Sequence, residues 1–455
     1  MSTVETTDQE FLLGLGEQVL ALVRPGEQME VAVSSGHSTS VKVYGGEVES
    51  YTSADSSGAG IRIIADGREG FASAGTLDLD ILSALVEDAR QNAAFAEHDE
   101  HAGIAEPDGW EVVELDTWRS EVLAITAEER IARAIDLESR VLGGHPAISG
   151  VRTASYSDSA GASALVSTAG IRAANRSTGV SAMVQALAVD GDRSQTGFGW
   201  HGGRAPADVD MDHIVERAVS RATELIGAVK PDSATVELVL DPHLSATILG
   251  LTAGTLGGDR IVKKRSPFVG RDGQTIASPL LNMVDDPTDP LSLAAESTDG
   301  EGLATRPVPL VTNGVLDGFV WDSYNARKAG VASTGSAQRG TRGLPTPGVH
   351  ALSVAGGDGG SLEDLIASVD LGIFVFSLAG LHSGVNAISG DFSVGVEGRM
   401  IRSGALAEPI SECTLGSTLQ RLLLDITSVG SDRTHLASGV ATPSMIISGV
   451  RLSGS

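Results

Sequence analysis

The chain has 455 residues, of which 56 are glycine, 41% hydrophobic and only 4% aromatic, with a formal net charge of −27. This length exceeds one ordinary hydrophobic core and predicts two or three domains, while the charge opposes direct binding to nucleic acid or docking on anionic membranes. The single cysteine, Cys413, excludes an intrachain disulfide and any multi-cysteine zinc site.

The acidic opening MSTVETTDQE carries no charged-then-apolar signal pattern. The longest apolar run, near 371–381, is too short to cross a bilayer. A soluble cytoplasmic protein is expected. Phe11, Leu12, Leu15, Val19, Leu22 and Val23 recur at helical spacing, and Arg24-Pro25-Gly26 ends that helix. Strands are expected over 28–34, 38–44 and 47–53, the last two joined at Gly45-Gly46. A second hairpin, 59–65 with 69–74, turns at Asp66-Gly67, a favoured two-residue loop. A helix over 78–96 points Leu79, Leu82, Leu85, Val86 and Ala89 inward, and the polar stretch 97–108 reads as a linker or long loop. Thr126 followed by Glu129 is a capping box opening a helix that runs to Leu142. Three or four strands fill 148–200, and a long helix covers 208–229.

Lys230-Pro231-Asp232 is the expected boundary between domains 1–230 and 231–455. A strand over 235–240 and a helix over about 242–256 follow, then a proline-bearing loop region to 307. Strands 308–311 and 315–321 turn at Asn313-Gly314, and Pro309 makes the first of them an edge strand at best. After a short helix at 362–369, glycines recur every few residues through 380–430, as in tightly turned antiparallel strands. Residues 401–406 read as two strand edges around a turn; 418–426 reads as a helix with Leu419, Leu422, Leu423 and Ile426 on one face. The fold class is α+β in two domains: an N-terminal mixed α/β layer domain and a C-terminal antiparallel β-rich, barrel-like domain with packed helices.

Chemistry-bearing motifs are sparse. None of the ten histidines sits in H-E-x-x-H or H-E-x-x-x-H, and zinc hydrolysis needs fixed imidazoles with a carboxylate base. His98 and His101 stand among carboxylates in the polar stretch, where a solvated turn is the expected state. Cys413 is expected to be a small buried residue, its thiol raised by adjacent Glu412. No G-x-S-x-G elbow or P-loop occurs, and glycine-rich 356–360 reads as a flexible turn. Arg260, Lys263, Lys264 and Arg265 form the one dense cationic cluster; it either holds a carboxylate or is a solvated loop after a helix. Asp391 and Ser393 either cap their own tight turn or touch a peptide.

The order of segments resembles the TldD/PmbA family, in its PmbA (TldE) branch. The carrying stretches are Gly257-Gly258-Asp259-Arg260, Arg265-Ser266-Pro267-Phe268, Asp299-Gly300-Glu301-Gly302, Asn313-Gly314-Val315-Leu316 and Ser323-Tyr324-Asn325-Ala326-Arg327-Lys328. Ser333-Thr334-Gly335-Ser336-Ala337, 386–393, Pro409-Ile410-Ser411-Glu412 and the hairpins at 43–46 and 60–62 complete the set. In the TldD branch a helix after the boundary strand carries an HExxxH metal motif. Here, registered on His243, that motif needs Glu at Leu244 and His at Ile248; registered on Gly258-Asp259, it falls on Leu249, Gly250 and Gly254.

The resemblance implies a metal-free subunit of a heteromeric zinc peptidase. A TldD-like partner supplies zinc and the general base, and this chain holds no cofactor. The substrates it implies are unfolded or leader peptides, including microcin precursors and an antitoxin, received in a shared cleft. The peptide-cleft candidates are Arg260, Arg265, Thr334, Gly335, Asn386, Gly390, Asp391, Phe392 and Ser393; a homodimer is the expected state without the partner. Two rival readings stand beside it: a protein-binding modulator of DNA gyrase, and an autonomous hydrolase with unrecognised residues.

Overall fold

Asp66 and Gly67 both take left-handed backbone, at φ 49° and 69°, and fold strand β2 (Glu47–Ala65) back onto β3 (Arg68–Ala74). The computed structural model that shows this describes residues 8–191 and 193–455; most of the acidic opening lies outside the described residues. Strand β1 (Glu27–Tyr44) pairs with β2 without interruption through the serine- and glycine-rich middle of both. Two strands were expected in each place. Ser34–His37 lies opposite 55–58, so each turn-like run satisfies the other's backbone and neither bends.

Strands β4 (Ile148–Ser167), β5 (Arg172–Asp190) and β6 (Arg193–Gly203) complete an antiparallel sheet of order β3-β2-β1-β4-β5-β6. Helices α1 (Gln9–Leu20) and α2 (Leu79–Phe95) pack on Met29, Val31 and Val33. Helices α3 (Ala127–Gly143) and α4 (Met211–Thr223) pack on Val41 and Val43. All five β1 positions are odd-numbered, so the helices cover one face of the sheet. The capping box of Thr126 and Glu129 is present. Leu79, at the first helical position of α2, is 38% exposed rather than facing in. The helix expected over 208–229 runs only from Met211 to Thr223.

The second half begins with β7 (Ala234–Leu240), which is central to a sheet ordered β16-β15-β14-β7-β20-β17. Its members are β14 (Leu371–Ala379), β15 (Asp391–Arg402), β16 (Ala405–Thr418), β17 (Ile426–Val429) and β20 (Met445–Ser453). Strand β16 also pairs with β20, closing five strands into a barrel. Leu238, Ile373, Val375, Val394, Leu415 and Ile447 fill it, together with Leu419, Leu422 and Leu423 of the short helix Leu419–Leu424.

The smaller sheet holds a correction. Strand β9 (Val308–Thr312) lies between β10 (Val315–Leu316) and β8 (Met283–Asp285), so it is not an edge strand. Pro309 is tolerated there because two-residue β10 ends before reaching it and the β8 register slips beside it. Asn313 and Gly314 form the expected turn, at φ 49° and 78°. The stretch 97–108 is no loose linker. Tyr324 Oη donates to Asp99 Oδ2 at 2.6 Å, and Arg327 donates to the carbonyls of His101 and Gly103. The 356–360 run is likewise pinned, Gly357 and Gly359 donating to the Gly430 and Val429 carbonyls. Among the described residues no helix is long and apolar enough to cross a membrane.

Candidate functional site

Strand β7 delivers the chain to helix α5 (Pro242–Ala253) at the rim of the barrel. Asp241 caps this helix, Oδ1 accepting from Leu244 N at 2.9 Å, and Pro242 occupies its first turn. Leu244, Ile248 and Leu249 are buried in the core. Gly250 and Gly254, one turn apart, line a cavity of about 530 Å³ with Gly257, Arg260, Gln338 and His350.

The two registers of the missing metal motif therefore differ in space. On His243, the demanded glutamate and second histidine fall on Leu244 and Ile248, inside the core. On Gly258-Asp259, Leu249 falls in the core while Gly250 and Gly254 fall on the cavity wall. Leucine, isoleucine and glycine side chains offer zinc no lone pair, so this helix does not fit the metal. Among the described residues no group of three or more His, Cys, Asp or Glu is placed to hold one.

The short helix α6 (Gly258–Val262) brings Arg260 to the same wall. A Cβ on Gly258 would sit 2.1 Å from Trp321 Cε3, so only glycine lets the helix lie on that ring. Trp321 in turn donates its backbone N–H to Thr334 Oγ1 at 2.7 Å, and Gly335 follows in left-handed backbone at φ 66°. Arg260, Thr334 and Gly335 are thus connected through Trp321. Arg265 is exposed on the loop beyond, its N–H on the Arg260 carbonyl at 2.7 Å.

The remaining candidates stand apart from this wall. Asn386 Oδ1 accepts from Ile388 N and Ser389 N, and Asp391 Oδ2 accepts from Ser389 Oγ at 2.6 Å. Gly390 is buried at φ 87° and its carbonyl accepts from Leu419 N. Phe392 is 2% exposed, in the barrel core, while Asp391 and Ser393 point outward on either side of it.

Behind the cavity stand acids that the sequence did not single out as site residues. Asp285 Oδ1 accepts from His350 N and Ala351 N, and burial pushes its carboxyl up to about 6. Burial likewise raises Asp299 to about 6, against three backbone N–H donors from Glu301, Leu303 and Ala337. Glu301 is raised to about 7 by burial and then by Asp299; its Oε1 has no partner. His350 is lowered by burial, but Glu296, 3.5 Å from Nδ1, and Asp285 outweigh that and raise it overall. Glu296 also lines two further cavities, of about 260 and 540 Å³, against the Ser34–Ser38 and Asn175–Ser177 segments. Glu296 and His350, 3.5 Å apart, stand between these two cavities and the one that holds Arg260.

Cys413 is buried, its thiol pushed up to about 11 by burial and then by Glu397 rather than Glu412. It is no nucleophile at neutral pH. Sequence reasoning also passed over Arg217 and Arg221, which both reach Asp241. Their spacing of four on an expected helix was the available signal.

Models of the PmbA/TldA metallopeptidase domain 1, central domain and C-terminal domain match residues 29–93, 120–226 and 233–454. The chain is 26% identical to the metalloprotease PmbA of Escherichia coli O157:H7, over 92% of each chain. A structure from Bacteroides thetaiotaomicron, described as a proposed modulator of DNA gyrase, superposes with a TM-score of 0.88 at 25% identity, covering 97% of this chain and 98% of that one. TldE from Thermococcus kodakarensis gives 0.86 at 23% identity, over 98% and 99%, a likeness of fold. With three consecutive domain models, a full-length relative and the same fold throughout, the chain belongs to the PmbA/TldD family of metallopeptidases, on its PmbA/TldE branch.

Proposed function

We propose that this chain is the metal-free subunit of a heteromeric peptidase in which a TldD-like partner carries zinc. The observation that carries the reading is the cavity wall of helix α5. In the register fixed by Gly258-Asp259, the motif positions that reach the cavity are Gly250 and Gly254. A helix with bare positions there shapes a cleft without contributing ligand or base. The polar cavities at Arg260 and His350 and along the serine-lined sheet suit an extended, unfolded peptide, which needs repeated polar contacts. Its substrates on this reading are unfolded or leader peptides, and Arg260, Thr334 and Gly335 border the peptide.

The test measures hydrolysis of an unstructured peptide by this chain alone, by a TldD-like protein alone and by the mixture, with zinc quantified in each. Activity confined to the mixture, with zinc on the partner, is the expected outcome. Stoichiometric zinc or turnover in the single chain overturns the proposal. Tight binding to gyrase subunits without peptidase activity in any mixture would favour a modulator instead; the charge of −27 argues against contact with DNA itself.

A further inference from the structure

A cavity of about 500 Å³ lies where helix α4 and strand β6 meet the barrel. Thr196, Phe198 and Trp200 line it from β6, alternating with Gly197 and Gly199, so one face of the strand supplies an apolar wall. Phe198 is 50% exposed there. Arg217 and Arg221 line it from α4. Their guanidiniums converge on one oxygen, Asp241 Oδ2, at 3.0 and 2.9 Å. The other oxygen of Asp241 is held by Leu244 N. Two cations therefore share one carboxylate, and Glu397 is the other acid on the cavity wall. Arg221 is further fixed 4.0 Å from the centre of the Phe376 ring.

We propose that this cavity is a subsite for the C-terminal carboxylate of a peptide whose last side chain is apolar. The carboxylate meets the Arg217–Arg221 pair and the side chain rests on Phe198 and Trp200. Arg217 uses Nη1 and Arg221 uses Nη2 on Asp241, so the other nitrogens of the two forks are left to take a single further carboxylate. Glu397, across the cavity and bonded to Ser377 Oγ at 2.9 Å, disfavours a dianion such as phosphate. His243 on the wall is lowered to about 4 by burial and then by Arg217, so it adds no charge at neutral pH. Ser438 and Val440 line both this cavity and the one holding Arg260, so a chain lying in that one reaches its end here. The inference rests on the peptide-handling reading and names the chemistry of the chain end.

The test is calorimetric binding to the full chain of an acetylated tripeptide ending in phenylalanine, as free acid and as amide. Hydrogen bonds to a charged group predict roughly tenfold or more tighter binding of the acid. Arg217→Gln should abolish that preference, because Arg221 is then matched by Asp241 alone, whereas Arg217→Lys should keep part of it. Phe198→Ser should weaken acid and amide alike while leaving their ratio unchanged, and thermal melts check that each variant is folded. Equal binding of acid and amide, binding of neither, or a preference that survives Arg217→Gln overturns the subsite. Peptidase activity of the same sample mixed with its partner is read separately, so loss of the subsite leaves the assembly reading standing.

Discussion

Arg339 and Glu30, 309 residues apart in sequence, form an ion pair whose two side chains are 3% and 1% exposed. It joins the first sheet to the loop that follows strand β11 (Ala337–Gln338). Glu30 also lies 3.6 Å from Arg62, which is held by Glu69. Removing one partner of a buried pair strands the other charge and costs about 3–5 kcal/mol. Glu30→Gln strands Arg339 outright, whereas Arg339→Leu leaves Glu30 with Arg62. Urea midpoints should therefore fall for both, and further for Glu30→Gln.

The buried acid Glu301 makes stability depend on pH in a definite direction. Its folded value, about 7, lies above the ordinary 4.5 of a solvated glutamate, so between these the folded chain holds more protons than the unfolded one. Stability from this group is therefore lost as pH rises from about 4.5 through 7. Glu301→Gln removes the penalty. The variant's advantage should be near zero at about pH 4 and grow to at most about 3 kcal/mol by about pH 8, read from urea unfolding at several pH values.

Gly258→Ala forces Trp321 and helix α6 apart, since the added carbon meets the indole at 2.1 Å. Overpacking of this kind costs about 1–3 kcal/mol. A lower melting temperature and altered tryptophan emission are expected. Arg260 moves with the helix, so peptide hydrolysis by the assembled enzyme should fall as well.

Cys413, protonated and enclosed, should react with a thiol reagent at pH 8 only after unfolding. Prompt labelling of the native chain would contradict the barrel packing around it.

Local chemistry was legible in the sequence. Thr126 with Glu129, Asp66-Gly67 and Asn313-Gly314 each act through neighbours a few residues away and are found as read; the apolar face Leu419, Leu422, Leu423 is too, but its helix stops at Leu424 and Ile426 opens strand β17. Features decided by distant partners were not legible. The serine–glycine runs of β1 and β2 look like turns until each is seen as the other's partner. Pro309 reads as an edge residue because the shortness of β10 cannot be seen from β9. The polar stretch 97–108 looks loose because Tyr324 and Arg327, which strap it down, lie over two hundred residues away. The empty motif positions were readable, but that Gly250 and Gly254 face a cavity depends on how α5 sits on the barrel. The acids behind His350 follow the same rule, their altered proton affinities arising from burial that only the assembled fold creates.

Strand β2 outruns its neighbour. β3 pairs only with 59–65, and among the described residues no strand covers the outer side of 47–57. A bare ladder of this length invites other chains to stack on it, and Glu47, Glu49 and Asp55 along it act as guards through mutual repulsion between molecules. Replacing those acids with threonine removes the guards, so this ribbon is where self-association of such a variant should begin.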